Sequence, residues 1–118
     1  MSETIIQGNV LDEYKKDMQI YAIAVNRKQS VPDVRDGLKS VARKILTSAF
    51  IQEKLYYDGP YSKCAGLVGS TLKHYYAHGD AALYSVIVNL ANWYSTKIPL
   101  LDGHGNFGDM EGSDAAAY

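Results

Sequence analysis

The trio His78, Gly79 and Asp80 stands immediately before a long apolar run, AALYSVIVNLANWY, and it is the stretch of the chain best suited to chemistry. A helix that opens there offers free N–H groups and the positive end of its dipole, with Asp80 placed to cap the first donors. After Gly79 and beside His78, such an end suits a phosphate group or a DNA groove. Lys39 and Arg43 lie one helical turn apart, flanked by Arg35 and Lys44, so four cations share a short solvated surface. Periodicity and charge alone leave the bland alternatives open: a core helix for the first stretch and an ordinary wet face for the second. His74 and His78 have the four-residue spacing of paired metal ligands, but no third ligand accompanies them and no metal site is expected. Gly103, Gly105 and Gly108 match GxGxxG, yet no strand and helix follow to make a dinucleotide site. Tight turns, or close approach by DNA or another backbone, explain these glycines better.

Helical periodicity supplies the elements that must position these groups. Leu11, Tyr14, Met18, Tyr21 and Val25 predict an amphipathic helix from Val10 to about Asn26. Pro32 forces Val31 out of helical geometry, and Pro32-Asp33 reads as the entry to a second helix. That helix is predicted over Val34 to Lys54, with Leu38, Val41, Ala42, Ile45, Leu46 and Ala49 inward. Gly37 within it marks a helix start or a close backbone approach, since mid-helix glycine costs roughly 1 kcal/mol. Tyr61 to Tyr76 predicts a third helix with Cys64, Leu67, Val68 and Leu72 inward, Cys64 being read as a small buried apolar residue. The last and most apolar helix runs from Asp80 to Tyr94, burying Leu83, Ile87, Leu90 and Tyr94, and Lys97 to Leu101 reads as a short strand. The fold class is therefore mainly α, a helix-turn-helix or winged-helix arrangement with a short, incomplete β element at the C-terminus. Residues 1–9 are expected to form an N-terminal arm, whose Ile5 and Ile6 could add as a strand to another chain.

A chain of 118 residues, 47% of them hydrophobic, fits one domain with a real core. A single cysteine excludes an internal disulfide. No apolar run reaches the about 18 residues of a membrane span and no signal pattern opens the chain, so a cytoplasmic protein is expected. The net charge of −1 conceals a division: residues 27–97 carry ten Lys/Arg against five acids, whereas residues 98–118 carry four acids and no base. The middle is basic, as electrostatic DNA binding requires.

Four segments in fixed order carry a resemblance. VPDVRDGLK at 31–39 with RKIL at 43–46, residues 61–69, HGD at 78–80 with Ala82 and Tyr84, and DGHGNFG at 102–108 with AAA at 115–117 resemble the N-terminal breakage-reunion region of the A subunits of DNA gyrase and topoisomerase IV. The resemblance implies that residues 10–118 are the start of a winged-helix DNA-binding domain of a type IIA topoisomerase, truncated before the catalytic tyrosine. It implies double-strand breakage, passage and rejoining through a phosphotyrosyl intermediate. Double-stranded DNA, a homodimer of A subunits, and a topoisomerase B subunit that holds Mg²⁺ and hydrolyses ATP are the implied partners. Arg35, Lys39, Arg43 and Lys44 would hold the backbone of the cleaved segment. His78, Gly79, Asp80 and Ala81 would meet DNA at the start of the recognition helix, with His78 near the scissile phosphate.

The same resemblance places the nucleophilic tyrosine two residues after Tyr118, so that the 118 residues alone are expected to be inactive. Ala81 and Ser85 stand where drug-sensitive relatives carry a serine and an acid that anchor a fluoroquinolone-bound Mg²⁺, which implies insensitivity. Gln29, Ala42, Tyr76 and Ala77 depart from the family pattern, which has an arginine, a histidine, and the first two residues of His-Pro-His at these positions. Two other classes compete with this reading: a stand-alone winged-helix DNA-binding module without chemistry, and an all-helical interaction domain with no DNA role.

Overall fold

A computed structural model describes residues 8–118, so the expected pairing of Ile5 and Ile6 lies outside the described residues. Four helices follow in order: α1 (Val10–Gln29), α2 (Ser40–Ile51), α3 (Cys64–His74) and α4 (Asp80–Ala91). Asn9 caps α1, its Oδ1 accepting from the Leu11 N–H at 3.1 Å, and Asp12 and Glu13 at the start with Arg27 and Lys28 at the end complement the dipole. The helix runs one turn past Asn26, whose carbonyl accepts from the N–H groups of both Ser30 and Val31. It buries no residue and touches the rest of the chain through α2, which gives the molecule its long dimension of 67 Å against 35 and 29 Å.

The core lies where α2, α3 and α4 meet. Ala42, Ile45 and Ala49 from α2, Leu67 and Val68 from α3, and Leu83, Ile87 and Leu90 from α4 form one buried cluster. Small side chains at 42 and 49 let the helices approach closely. Thr71 is buried as well, its hydroxyl donating to the Leu67 carbonyl at 2.7 Å, which removes the cost of an unpaired polar group. Cys64, expected to be buried, is half-buried because it opens α3 at the margin of the cluster.

Besides α1, which overruns its expected end, and α3, which spans Cys64–His74 rather than Tyr61 to Tyr76, three boundaries depart from the periodic reading. First, α2 begins at Ser40 rather than Val34. Asp33 holds a turn instead: its Oδ1 accepts from the Arg35 N–H at 3.0 Å and its carbonyl from the Gly37 N–H at 2.7 Å. Gly37 takes φ +70° in this turn with no atom near its missing Cβ, so backbone conformation, not close approach, explains the glycine. Second, α4 ends at Ala91, leaving Tyr94 outside the helix and partly exposed.

Third, no strand forms among the described residues, so neither the expected β element at Lys97–Leu101 nor a wing is present there. Pro99 lacks a donor, and the N–H groups of Leu100 and Leu101 turn back to the Leu90 carbonyl at 2.9 and 3.3 Å, closing the C-terminal end of α4. The glycine-rich loop after it is held by its own backbone. A Cβ at Gly108 would come within 2.8 Å of the Ser113 carbonyl oxygen, so this glycine is required by close approach of chain to chain.

Candidate nucleic-acid interface

The sequence-predicted site residues come from three places: the Asp33 turn, α2, and the loop that opens α4. Arg35 and Arg43 do not present free charge. Arg35 donates to Asp33 through Nε at 2.9 Å and Nη2 at 2.8 Å, a bidentate pair. Arg43 donates to Asp36 at 2.8 Å and lies 3.5 Å from Asp33. The Arg35 guanidinium and backbone N–H hold the Asp33 carboxyl well below the usual carboxylate range. Lys39 and Lys44 make no ion pair among the described residues. Lys39 is exposed at the N-cap of α2, and Lys44 points across to the α3–α4 connection.

That connection runs from Tyr75 to Gly79. Because α3 ends at His74, His74 and His78 do not share a helical face, and among the described residues no three His, Cys, Asp or Glu side chains converge on a metal position. Tyr76 instead gathers the basic groups. Its half-buried ring packs against the core cluster, the Lys44 ammonium lies 5.4 Å from the ring centroid, and the His78 ring stands edge-on at 5.0 Å and 65°. The start of α4 is thereby joined to the basic side of α2.

Gly79, not Asp80, is the N-cap of α4, and it makes no side-chain cap. Asp80 is the first helical residue, its Oδ1 accepting from the Ala81 N–H at 2.9 Å and its other oxygen accepting from the Tyr118 hydroxyl. This second contact has no signature in the sequence. Residues 113–118 cross the start of α4: the Tyr84 hydroxyl donates to the Ala116 carbonyl, the Ala116 N–H to the Asn106 carbonyl at 3.0 Å, and the Tyr84 and Tyr118 rings lie 5.2 Å apart. Ala81 and Ser85 are exposed one turn apart on the same helix.

The Tyr118 hydroxyl, followed by the Ala81 N–H, lowers the Asp80 carboxyl below its ordinary range, and the same bond raises the Tyr118 phenol above 10. For Asp80 the depressed value means that its contribution is present above the ordinary carboxylate range and is lost as pH falls through the lowered value. For Tyr118 the contribution is complete below pH 10 and is lost as pH rises through the raised value. The Tyr118–Asp80 bond should therefore be intact across neutral pH and lost at both extremes. An ultraviolet phenolate titration of the wild-type chain minus that of Tyr118→Phe isolates one phenol. A midpoint above 10 is expected, and one at or below 10 would show that Tyr118 does not rest on a charged carboxylate.

No helix among the described residues is long and apolar enough to cross a membrane. A family model described as the A subunit of DNA gyrase/topoisomerase IV matches residues 29–118. The DNA gyrase A subunit of Rickettsia prowazekii is 41% identical over 116 residues, covering 98% of this chain and 13% of that protein. The DNA topoisomerase 4 A subunit of Rickettsia felis is 44% identical over 115 residues, covering 98% and 15%. Its counterpart in Rickettsia bellii is 46% identical over 97 residues, covering 82% and 13%. The chain thus spans about a seventh of the length of the curated relatives it matches.

Proposed function

Because this chain belongs to the family of DNA gyrase and topoisomerase IV A subunits, we propose that it is the portion of a type IIA topoisomerase that holds the duplex to be cut, within a winged-helix breakage-reunion region. The observation that carries this reading is the junction at Tyr76, whose ring meets both Lys44 from α2 and His78 beside the start of α4. Two separate sequence signals, a basic stripe and a His-Gly-Asp turn, thereby become one surface.

In this reading Lys39, Arg43 and Lys44 bind the phosphate backbone, and the start of α4 at Gly79, Asp80 and Ala81 lies against DNA with His78 near the scissile phosphate. These contacts position and bend the duplex and carry little base readout. Arg35 and Arg43 reach phosphates by exchanging carboxylate partners for phosphate oxygens, an exchange of like for like in charge. The rest of the reaction belongs to the assembled enzyme: a dimer of A subunits, with a second type of protein chain that hydrolyses ATP and supplies Mg²⁺. The donors described in this chain form no Mg²⁺ cage, so no step of the proposal runs through a metal that it holds.

Duplex binding should be weak, poorly sequence-selective and steeply salt-dependent. Each phosphate contact contributes about 0.9 to the slope of log K against log salt. Lys39→Ala should lower that slope by about 0.9 and Lys39→Ala with Arg43→Ala by about 1.8. Fluorescence anisotropy of a labelled duplex over a salt series measures it. A drop of about 0.9 in the double variant would mean that Arg43 stays with Asp36, and an unchanged slope in a folded protein would remove both residues from the DNA face.

A further inference from the structure

We infer that Tyr76 is a positioning residue of the DNA site, an aromatic plate that fixes the Lys44 ammonium and the His78 imidazole relative to one another. The inference rests on the proposed function and deepens it. Three observations support it. The Tyr76 ring is packed against the core cluster, so its orientation is set by the fold rather than by solvent. Lys44 lies 5.4 Å from the ring centroid, within the range over which an aromatic face attracts a cation. His78 meets the same ring edge-on at 5.0 Å, the T-shaped geometry that aromatic pairs favour.

Neither partner has another anchor. Lys44 makes no ion pair and His78 no hydrogen bond to a side chain among the described residues, and Gly79 beside His78 has open space where a side chain would be. His78 is exposed on a short loop, so without the ring its imidazole samples many rotamers, and a phosphate that needs one of them is bound less well. The ring itself contributes the geometry; the hydroxyl is not needed for it. Ala77 leaves the loop without a proline's fixed φ, and the plate supplies rigidity by side-chain packing instead.

The test uses the 118-residue chain and a labelled duplex of about 20 base pairs, long enough to span two helical turns. Tyr76→Leu, which keeps apolar volume against the core, should weaken binding about fivefold at low salt, whereas Tyr76→Phe should restore wild-type affinity. In a Lys44→Ala, His78→Ala background the same Tyr76→Leu change should cost less than about twofold, because its partners are gone. Proton NMR gives a readout that a purely structural role would not move: the His78 ring protons should keep their ring-current shift in Tyr76→Phe and lose it in Tyr76→Leu, while the thermal midpoint stays similar. An equal cost of Tyr76→Leu in both backgrounds, or an unmoved His78 shift, overturns the inference and leaves the DNA reading standing. If the wild-type chain binds duplex without salt dependence, the DNA reading fails and the inference fails with it.

Discussion

On the proposed function, the full-length protein is expected to be insensitive to fluoroquinolones, and introducing Ala81→Ser together with Ser85→Asp is expected to let the drug trap its cleaved DNA. The expectation follows from the family resemblance, in which drug-sensitive members hold a drug-bound Mg²⁺ through water on a serine and an acid at these two positions. Here the first offers a methyl group and the second a hydroxyl, so neither the neutral acceptor nor the charged one is present. The geometry permits the repair. Ala81 and Ser85 are exposed and one turn apart on α4, while the buried face of that helix is Leu83, Ile87 and Leu90. Exposed substitutions of this kind change stability by about half a kcal/mol or less, so the gain would not be confounded by unfolding. Drug-stabilised double-strand cleavage in the reconstituted enzyme is the measurement. Trapping by the unmodified enzyme at ordinary drug concentrations would show that a different anchor operates.

Leu83→Ala should be the most damaging single substitution for the fold. Leu83 is fully buried in the first turn of α4, a helix that packs against both α2 and α3. Leucine-to-alanine changes at such sites cost roughly 3–5 kcal/mol, the transfer term plus the cavity left behind. A domain of this size has about 5–15 kcal/mol to lose, and here the buried cluster comprises only eight side chains. Urea unfolding followed by circular dichroism should show the midpoint falling steeply with little change in slope, and duplex binding should fall with it. A shift of less than about 1 kcal/mol would mean that the three-helix junction relaxes to fill the space, which a close-packed interior does poorly.

Much of the core could be read from periodicity. Ile45 and Ala49 on α2, Leu67 and Val68 on α3, and Leu83, Ile87 and Leu90 on α4 all recur at helical spacing, and all are buried. Local hydrogen bonding limited that reading at the boundaries. The carboxylate of Asp33 satisfies the Arg35 N–H in a turn, and an apolar pattern that continues through Leu38 carries no trace of it. Leu38 is half-buried without being helical, because a turn can present a side chain to a core as readily as a helix can.

The basic stripe was legible as composition but not as free charge. Asp33 and Asp36 are two and seven residues from the arginines they neutralise, a relation that charge counting along the chain treats as simple proximity. Least legible were the tyrosines. Tyr84 reaches the carbonyl of Ala116, 32 residues away, and Tyr118 reaches Asp80, 38 residues away. Such contacts depend on where the loops return, and no local spacing encodes that. Tyr76 could be seen as a departure from a family pattern, but its place between Lys44 and His78 required the packing of α2 against the α3–α4 connection.

The long α1 stands apart from this packing. With no buried side chain and, among the described residues, α2 as its only helix partner, it gains almost nothing from the three-helix junction and depends on its own hydrogen bonds, its Asn9 cap and its terminal charges. In proteins most helical stability comes from tertiary packing of an apolar face, which α1 lacks here. In this chain by itself, amide exchange should therefore proceed at two distinct rates: α1 amides through frequent local opening at almost no free-energy cost, and α2 and α4 amides only through global unfolding. Heating should melt the molecule in two stages, so ellipticity would begin to fall while tertiary contacts remain intact.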